Sequence, residues 1–184
     1  MGEAGKTPFI VGIGGTTREG SASERALVAA LAEAEALGAT TQLFGGADLL
    51  SLPTCEAQDA GTGEVWAPLV QAVRRADGLI IASPGYHGSI SGLVKNALDG
   101  LEALRADGRP YLEGRAVGLI VCADGWQAGG STLAALRAIV HALRGWPTPF
   151  GATLNVTAAE EMDASRLRLV ASQVVDFARM KLGS

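Results

Sequence analysis

The strongest constraint on the fold is a recurring run of apolar residues, too short for a helix and followed each time by a helical stretch. Such runs occupy residues 8–14, 77–83, 116–122 and 150–156, with a weaker one at 40–44. Val, Ile and Leu fill them almost continuously, with none of the polar alternation of a strand that has one wet face. Strands apolar throughout are buried on both sides. Helical stretches at 24–37, 64–75, 91–102, 131–143 and 160–182 supply the cover. The pattern is β-α repeated five times. It predicts an α/β three-layer sandwich, a five-stranded parallel sheet of order 2-1-3-4-5, over residues 1–184 as a single domain. A six-stranded dinucleotide fold needs a further βα unit. Residues 45–63, polar and glycine-rich, read as one long loop.

Charge and cysteines remove several function classes. The formal net charge of −4 gives no basic surface for nucleic acid. The two cysteines, Cys55 and Cys122, have no metal-ligand spacing, so no metal site is expected. Cys122 sits inside an apolar strand run and reads as core. No apolar run reaches the roughly 18 residues of a membrane span. Residues 1–6 are polar and carry no signal-peptide core, so a soluble cytoplasmic protein is expected.

In open parallel sheets, ligands gather outside the carboxyl ends of the strands. Three loops fall there. The first, residues 14–23, holds Thr16, Thr17, Arg18, Ser21 and Ser23 ahead of a helix. One hydroxyl suffices to cap that helix. The remaining hydroxyls, a forked cation and the helix N-terminus make a phosphate site. There is no Gly-Lys-Ser/Thr, and Thr17 stands at the third glycine position of a dinucleotide fingerprint. Side-chain donors suit a terminal phosphate monoester, as in a mononucleotide. The second loop, Ser83-Pro84-Gly85-Tyr86-His87-Gly88-Ser89-Ile90, offers flat side chains and exposed amides suited to a planar heterocycle, with Ser89 opening the next helix. The third runs Asp124-Gly125-Trp126-Gln127-Ala128-Gly129-Gly130.

Two of these segments carry a resemblance. Residues 15–23 resemble the Gly-Ser-x-Arg-x-x-Ser-x-Asn phosphate loop of the NADPH-dependent FMN reductases. Residues 83–99 resemble that family's Thr-Pro-Glu-Tyr-Asn-Gly-Ser-Ile-Pro-Gly-x-x-Lys-Asn-Ala-Ile-Asp segment. The resemblance implies a flavodoxin-like fold, non-covalent FMN, NADPH as reductant, and a homodimer or homotetramer. It places Thr16, Arg18, Ser21 and Ser23 at the FMN phosphate. Pro84, Gly85, Tyr86, His87, Gly88 and Ser89 line the ribityl and ring region, and the third loop, with Asp124 and Gly125, runs beside the ring. This chain departs from the motif at Thr16 for Ser, Ser23 for Asn, Gly85 for Glu, His87 for Asn and Ser91 for Pro. Gly85 is expected to widen the pocket and His87 to alter ring contacts. Trp126 either shields the ring, stacks on substrate or packs on a partner subunit. Lys95 and Asp99, one turn apart, form a solvated pair or a subunit contact. His141, among apolar helix residues, reads as structural.

The resemblance also implies the reaction: hydride from NAD(P)H to flavin, then electrons to a flavin, quinone, azo or metal-oxyanion acceptor. The flavin carries that chemistry, so no indispensable catalytic side chain is expected. The alternative from another class is a flavodoxin-like electron carrier without its own NAD(P)H activity. A receiver-type signalling domain needs an acidic pair after the first strand and an aspartate after the third, where Thr16-Thr17 and Ser83-Pro84 stand.

Overall fold

The computed structural model describes residues 6–55, 63–156 and 163–183. Strands β1 (Phe9–Gly14), β2 (Thr40–Phe44), β3 (Gly78–Pro84), β4 (Ala116–Ala123), β5 (Trp146–Pro147) and β6 (Ala152–Asn155) form one sheet in the order β2-β1-β3-β4-β5, with β6 also on β4. Every pairing is parallel. Helices α1 (Ala22–Ala36), α2 (Gly46–Ser51), α3 (Gly63–Arg75), α4 (Gly92–Asp99), α5 (Trp126–Ala142) and α6 (Ala164–Leu182) cover it, and a 3-10 turn (Gly100–Leu104) extends α4.

The two-sided burial read from the sequence follows the pleat. In β3, Leu79 and Ile81 face the core beneath α3, α4 and α5, while Ile80 and Ala82 face the core beneath α1 and α6. In β4, Val117, Leu119 and Val121 alternate in the same way with Ile120 and Cys122. Period-two alternation with both faces apolar gives a strand that reads as a continuous hydrophobic run.

Four differences from the sequence reading have local physical causes. First, the fifth lane of the sheet is two strands, not one. Trp146 and Pro147 pair with Ala116 and Val117, and Ala152–Asn155 resume the pairing at Ile120. Pro147 and Pro149 lack the amide that an unbroken ladder needs, and proline is tolerated here because the lane is the sheet's edge. Second, the stretch after β2 is not all loop: α2 forms, with Asp48 accepting a hydrogen bond from the Gly45 amide at 2.9 Å and Leu49 fully buried. Residues 56–62 of that predicted loop lie outside the described residues, as do residues 1–5 and the first residues of the predicted last helix.

Third, α5 begins at Trp126, so most of the third predicted loop is helix. Gly129 and Gly130 suggested a loop, but Gly129 lets the helix lie on β6. A Cβ there would come within 2.2 Å of Thr153 Cγ2. Fourth, α4 is capped by Ser91, whose hydroxyl accepts from the Val94 amide at 3.2 Å; Ser89 belongs to the preceding turn. On α4, Lys95 and Asp99 form a partly exposed ion pair at 2.6 Å. His141 is exposed on α5.

At the amino-terminal end of the strands, Arg115 is fully buried. Its guanidinium donates to the carbonyls of Arg74, Ala76 and Tyr111 at 2.8, 3.0 and 2.9 Å. It thereby closes the C-terminus of α3 against β4. Burial lowers its pKa to about 10.

Candidate functional site

The carboxyl ends of β1, β3 and β4 bring the three sequence-predicted loops to one rim. Two adjoining cavities lie there, of about 470 and 460 Å³, sharing Tyr86, Cys122 and Asp124. The first is lined by Thr16, Thr17, Arg18, Ser21, Ala22 and Ser23, with Pro84 and Val156. The second is lined by Gly85, His87, Ala123, Gly125, Gln127 and Ala128. Of the predicted site residues, Gly88 and Ser89 line neither; they hold the turn that presents Tyr86 and His87.

The first cavity is built around the start of α1. Ser21 is the N-cap and accepts from the Glu24 amide; its hydroxyl lies 3.4 Å from that of Ser23. Both serines are buried. The Thr16 hydroxyl accepts from the Arg18 amide at 3.1 Å and lies 3.2 Å from the Arg18 carbonyl, so it folds the loop back on itself. Arg18 is exposed and makes no ion pair among the described residues. First-turn amides lack helical acceptors. With the helix dipole they add to a donor set of four hydroxyl side chains and one guanidinium, the chemistry of an anion site.

The second cavity depends on a tight turn. The Ser89 amide donates to the Tyr86 carbonyl at 3.0 Å, and the two residues form an antiparallel bridge. Between them His87 and Gly88 both have positive φ, +52° and +80°. That is the mirror-image hairpin turn in which Asn-Gly is favoured, and histidine is among the few other residues that enter the left-handed region. So the imidazole stands where it does because of backbone geometry as much as side-chain chemistry. The turn leaves Tyr86 55% exposed at the mouth shared by both cavities. Trp126, at the start of α5, is 52% exposed and lines neither cavity.

Gly85 does not widen the pocket as its missing side chain suggested. A Cβ there would come within 2.8 Å of Ala123 Cβ and 3.1 Å of Thr132 Oγ1, so neighbouring side chains already fill that space. A Cβ on Gly125 would meet nothing, which leaves open space along the wall of the second cavity. Cys122, core by its strand position, closes the floor of both cavities. It is 5% exposed, and burial pushes its thiol up to about 12. A thiol so far from ionisation is a wall, not a nucleophile.

The sequence reading passed over Ala22, Cys122, Ala123 and Val156 as lining residues, whereas Gln127 and Ala128 lie in the third loop, which it placed beside the ring. For Cys122 and Ala123 the signal was available: they precede Asp124 at the end of a buried strand. Val156 ends the apolar run 150–156, so its place at a strand's carboxyl end was legible on the same ground. Among the described residues no cluster of His, Cys, Asp and Glu could hold a metal ion, and no helix is long and apolar enough to cross a membrane.

Comparison with known proteins adds three findings. The profile of the NADPH-dependent FMN reductase family matches residues 8–160. An "FMN-dependent NADPH-azoreductase" of Staphylococcus aureus (strain USA300) is 36% identical over 120 residues, covering 59% of this chain and 60% of that protein; the match thus spans under two thirds of the relative's length. Among solved structures, an oxidoreductase from Corynebacterium diphtheriae superposes with a TM-score of 0.74 at 17% identity, covering 93% of this chain and 96% of the other. FerB, an NAD(P)H:(acceptor) oxidoreductase from Paracoccus denitrificans, gives 0.72 at 18% identity over 95% and 98%. At such identities the superpositions speak for a flavodoxin-like fold alone.

Proposed function

From the premise that the chain belongs to the NADPH-dependent FMN reductase family, we propose that it is an FMN-dependent NAD(P)H oxidoreductase. Its acceptor is a small molecule of the flavin, quinone, azo or metal-oxyanion class. The observation that carries this reading is the junction of two cavities at Tyr86, Cys122 and Asp124, one walled by anion donors and the other by a flat aromatic turn and open backbone. FMN has this bipartite chemistry, a phosphate tail and a planar ring. The donor set fits the tail: Thr16, Arg18, Ser21 and Ser23, at a helix N-terminus, with Thr17 lining the same cavity.

FMN supplies the chemistry when bound, accepting hydride from a reduced nicotinamide and giving electrons up to an acceptor. The chain's residues bind and orient. Arg18 holds negative charge through a forked donor. Pro84, Gly85, Tyr86 and His87 form one wall of the ring region and Asp124 and Gly125 the other, while Gly88 and Ser89 keep the turn closed. Cys122 and Ala123 exclude water from below. No acid or base at a fixed atom is required, so no side chain is assigned a catalytic role. Exposed Tyr86 and Trp126 leave a face for nicotinamide or acceptor. We further place the protein in the cytoplasm, working as one domain and assembling as a homodimer or homotetramer. The absence of a membrane-crossing helix among the described residues is compatible with that location.

The test is the absorbance of the purified protein near 450 nm after FMN addition, the band expected of a bound flavin, followed by steady-state NADPH oxidation with a quinone or azo dye. Saturable FMN binding and acceptor-dependent turnover support the reading. Binding without turnover supports the electron-carrier alternative, and no binding removes both.

A further inference from the structure

We propose that Glu24 is the positioning residue of the anion loop, a carboxylate that sets its shape from behind without lining the cavity. This rests on the FMN reading above. Glu24 is the third residue of α1. Its Oε2 accepts from the Gly20 amide at 3.1 Å and its Oε1 from the Gly46 amide at 3.2 Å. Gly20 ends the loop that carries Thr16 and Arg18. Gly46 opens α2, 22 residues away in sequence. One carboxylate therefore ties the tip of the loop to the turn after β2. Among the described residues it has no ion-pair partner, so both oxygens are committed to backbone amides.

The packing around it is as tight as a backbone allows. A Cβ on Gly46 would fall 1.8 Å from the Thr16 carbonyl oxygen, and one on Gly15 would fall 2.7 Å from the Gly46 nitrogen. Gly15 has φ +120°, a conformation that favours glycine. The loop is thus seated backbone to backbone on the turn Gly45-Gly46, and Glu24 holds both. Arg25 pins the same corner from the other side by donating to the Gly20 carbonyl.

Electrostatics alone predicts the opposite role. A carboxylate in the first turn of α1 lies close to where an anion binds and repels it. Removing its charge should then tighten phosphate binding. If its role is to hold the loop in a binding-competent shape, removing it weakens phosphate binding in spite of the relieved repulsion. The sign of the effect separates the two.

The experiment titrates the FMN-free protein with FMN and with riboflavin, which lacks the phosphate, in the parent and in Glu24→Gln and Glu24→Asp. The amide keeps the length but replaces one acceptor with a donor. The shorter carboxylate keeps the charge but not the span. Both variants are expected to lose roughly tenfold or more in FMN affinity and to change little toward riboflavin. The ratio of the two affinities is the readout, because general loosening of the fold lowers both together. In the FMN-free protein, the amide resonances of Gly20 and Gly46 should shift in both variants, which reports on the two bonds without any ligand. Unchanged or tighter FMN binding in the variants, with parent preference for FMN intact, overturns the role of Glu24 alone. A parent that binds neither flavin overturns the FMN reading and this inference with it.

Discussion

His87 shows how a single position can carry two demands. Its φ of +52° places a non-glycine residue in the left-handed region, which costs about 1 kcal/mol or more for most side chains and least for Asn, Asp and His. Asparagine, the motif residue at this place, should therefore be tolerated: His87→Asn is expected to leave the thermal midpoint unchanged or slightly raised. His87→Val puts a β-branched residue where it cannot settle. It should lower stability by about 1–2 kcal/mol, or roughly 2–8 °C for a chain of this size, measured by thermal unfolding followed by circular dichroism. Equal midpoints for Val and Asn would mean that the turn does not hold this geometry in solution. Cys122 makes a pH prediction. Burial raises its pKa from 9.0 to about 12. Between those values the unfolded chain gives up the thiol proton and the native chain keeps it, so the native state binds more protons and stability falls as pH rises. Below pH 9 the contribution is constant. Cys122→Ala should remove that slope: relative to the variant, the parent should lose about 2 kcal/mol between neutral pH and about pH 10.5, read from urea unfolding at each pH. Parallel pH profiles would mean that the thiol is not shielded as the structure has it.

At the scale of elements, what the sequence disclosed depended on whether local chemistry or distant packing decided the outcome. The strands β1, β3 and β4 were legible because both their faces are apolar and the runs are too short for a helix. The split of the edge lane at Pro147 and Pro149 was hidden. It follows from missing amides opposite β4, and the pairing partner is unknown until the sheet exists. The early start of α5 was hidden for a related reason, since Gly129 looks like a break until Thr153 is seen against it. The loops after β1 and β3 were legible from residue type as candidates for the rim, and they line its two cavities. Glu24, which belongs to neither cavity, was not, because its partner Gly46 is brought near only by β2. The cap of α4 is a testable case. Ser91 offers its hydroxyl to Val94, and its own amide donates to the buried Ser83 hydroxyl at 3.1 Å. Ser91→Ala removes the cap alone and should cost about 1 kcal/mol. Ser91→Pro, the motif residue, has a compatible φ, the native value being −66°, but it also deprives Ser83 of its donor. It should therefore unfold at a lower temperature than Ser91→Ala. The reverse order would mean that the Ser83 bond contributes nothing.

For the whole molecule, the parallel sheet does one mechanical job: it carries three otherwise unrelated loops, from residues 14–23, 84–90 and 123–128, to a single rim. The two cores on its faces hold β1, β3 and β4 in register, and the buried Arg115 closes the amino-terminal end of the strands, so the loops at the opposite rim are free to be chosen for binding. A ligand that touches all three loops is linked to global unfolding by mass action. At a hundredfold excess over its dissociation constant it stabilises the native state by about 2.7 kcal/mol, a rise of roughly 5–11 °C in the unfolding midpoint for a chain of this size. FMN should produce a rise of that order. Riboflavin at the same concentration should produce less, because it leaves the loop after β1 empty. Arg18→Ala should bring the two flavins together: a lost charge-assisted contact of about 1.5–3 kcal/mol weakens FMN by roughly ten- to a hundredfold and leaves riboflavin where it was. The measurement is a thermal-shift titration of parent and variant with both flavins. If Arg18→Ala keeps the full gap between FMN and riboflavin, the phosphate is held elsewhere on the rim, and the hydroxyl-rich loop serves only to cap α1.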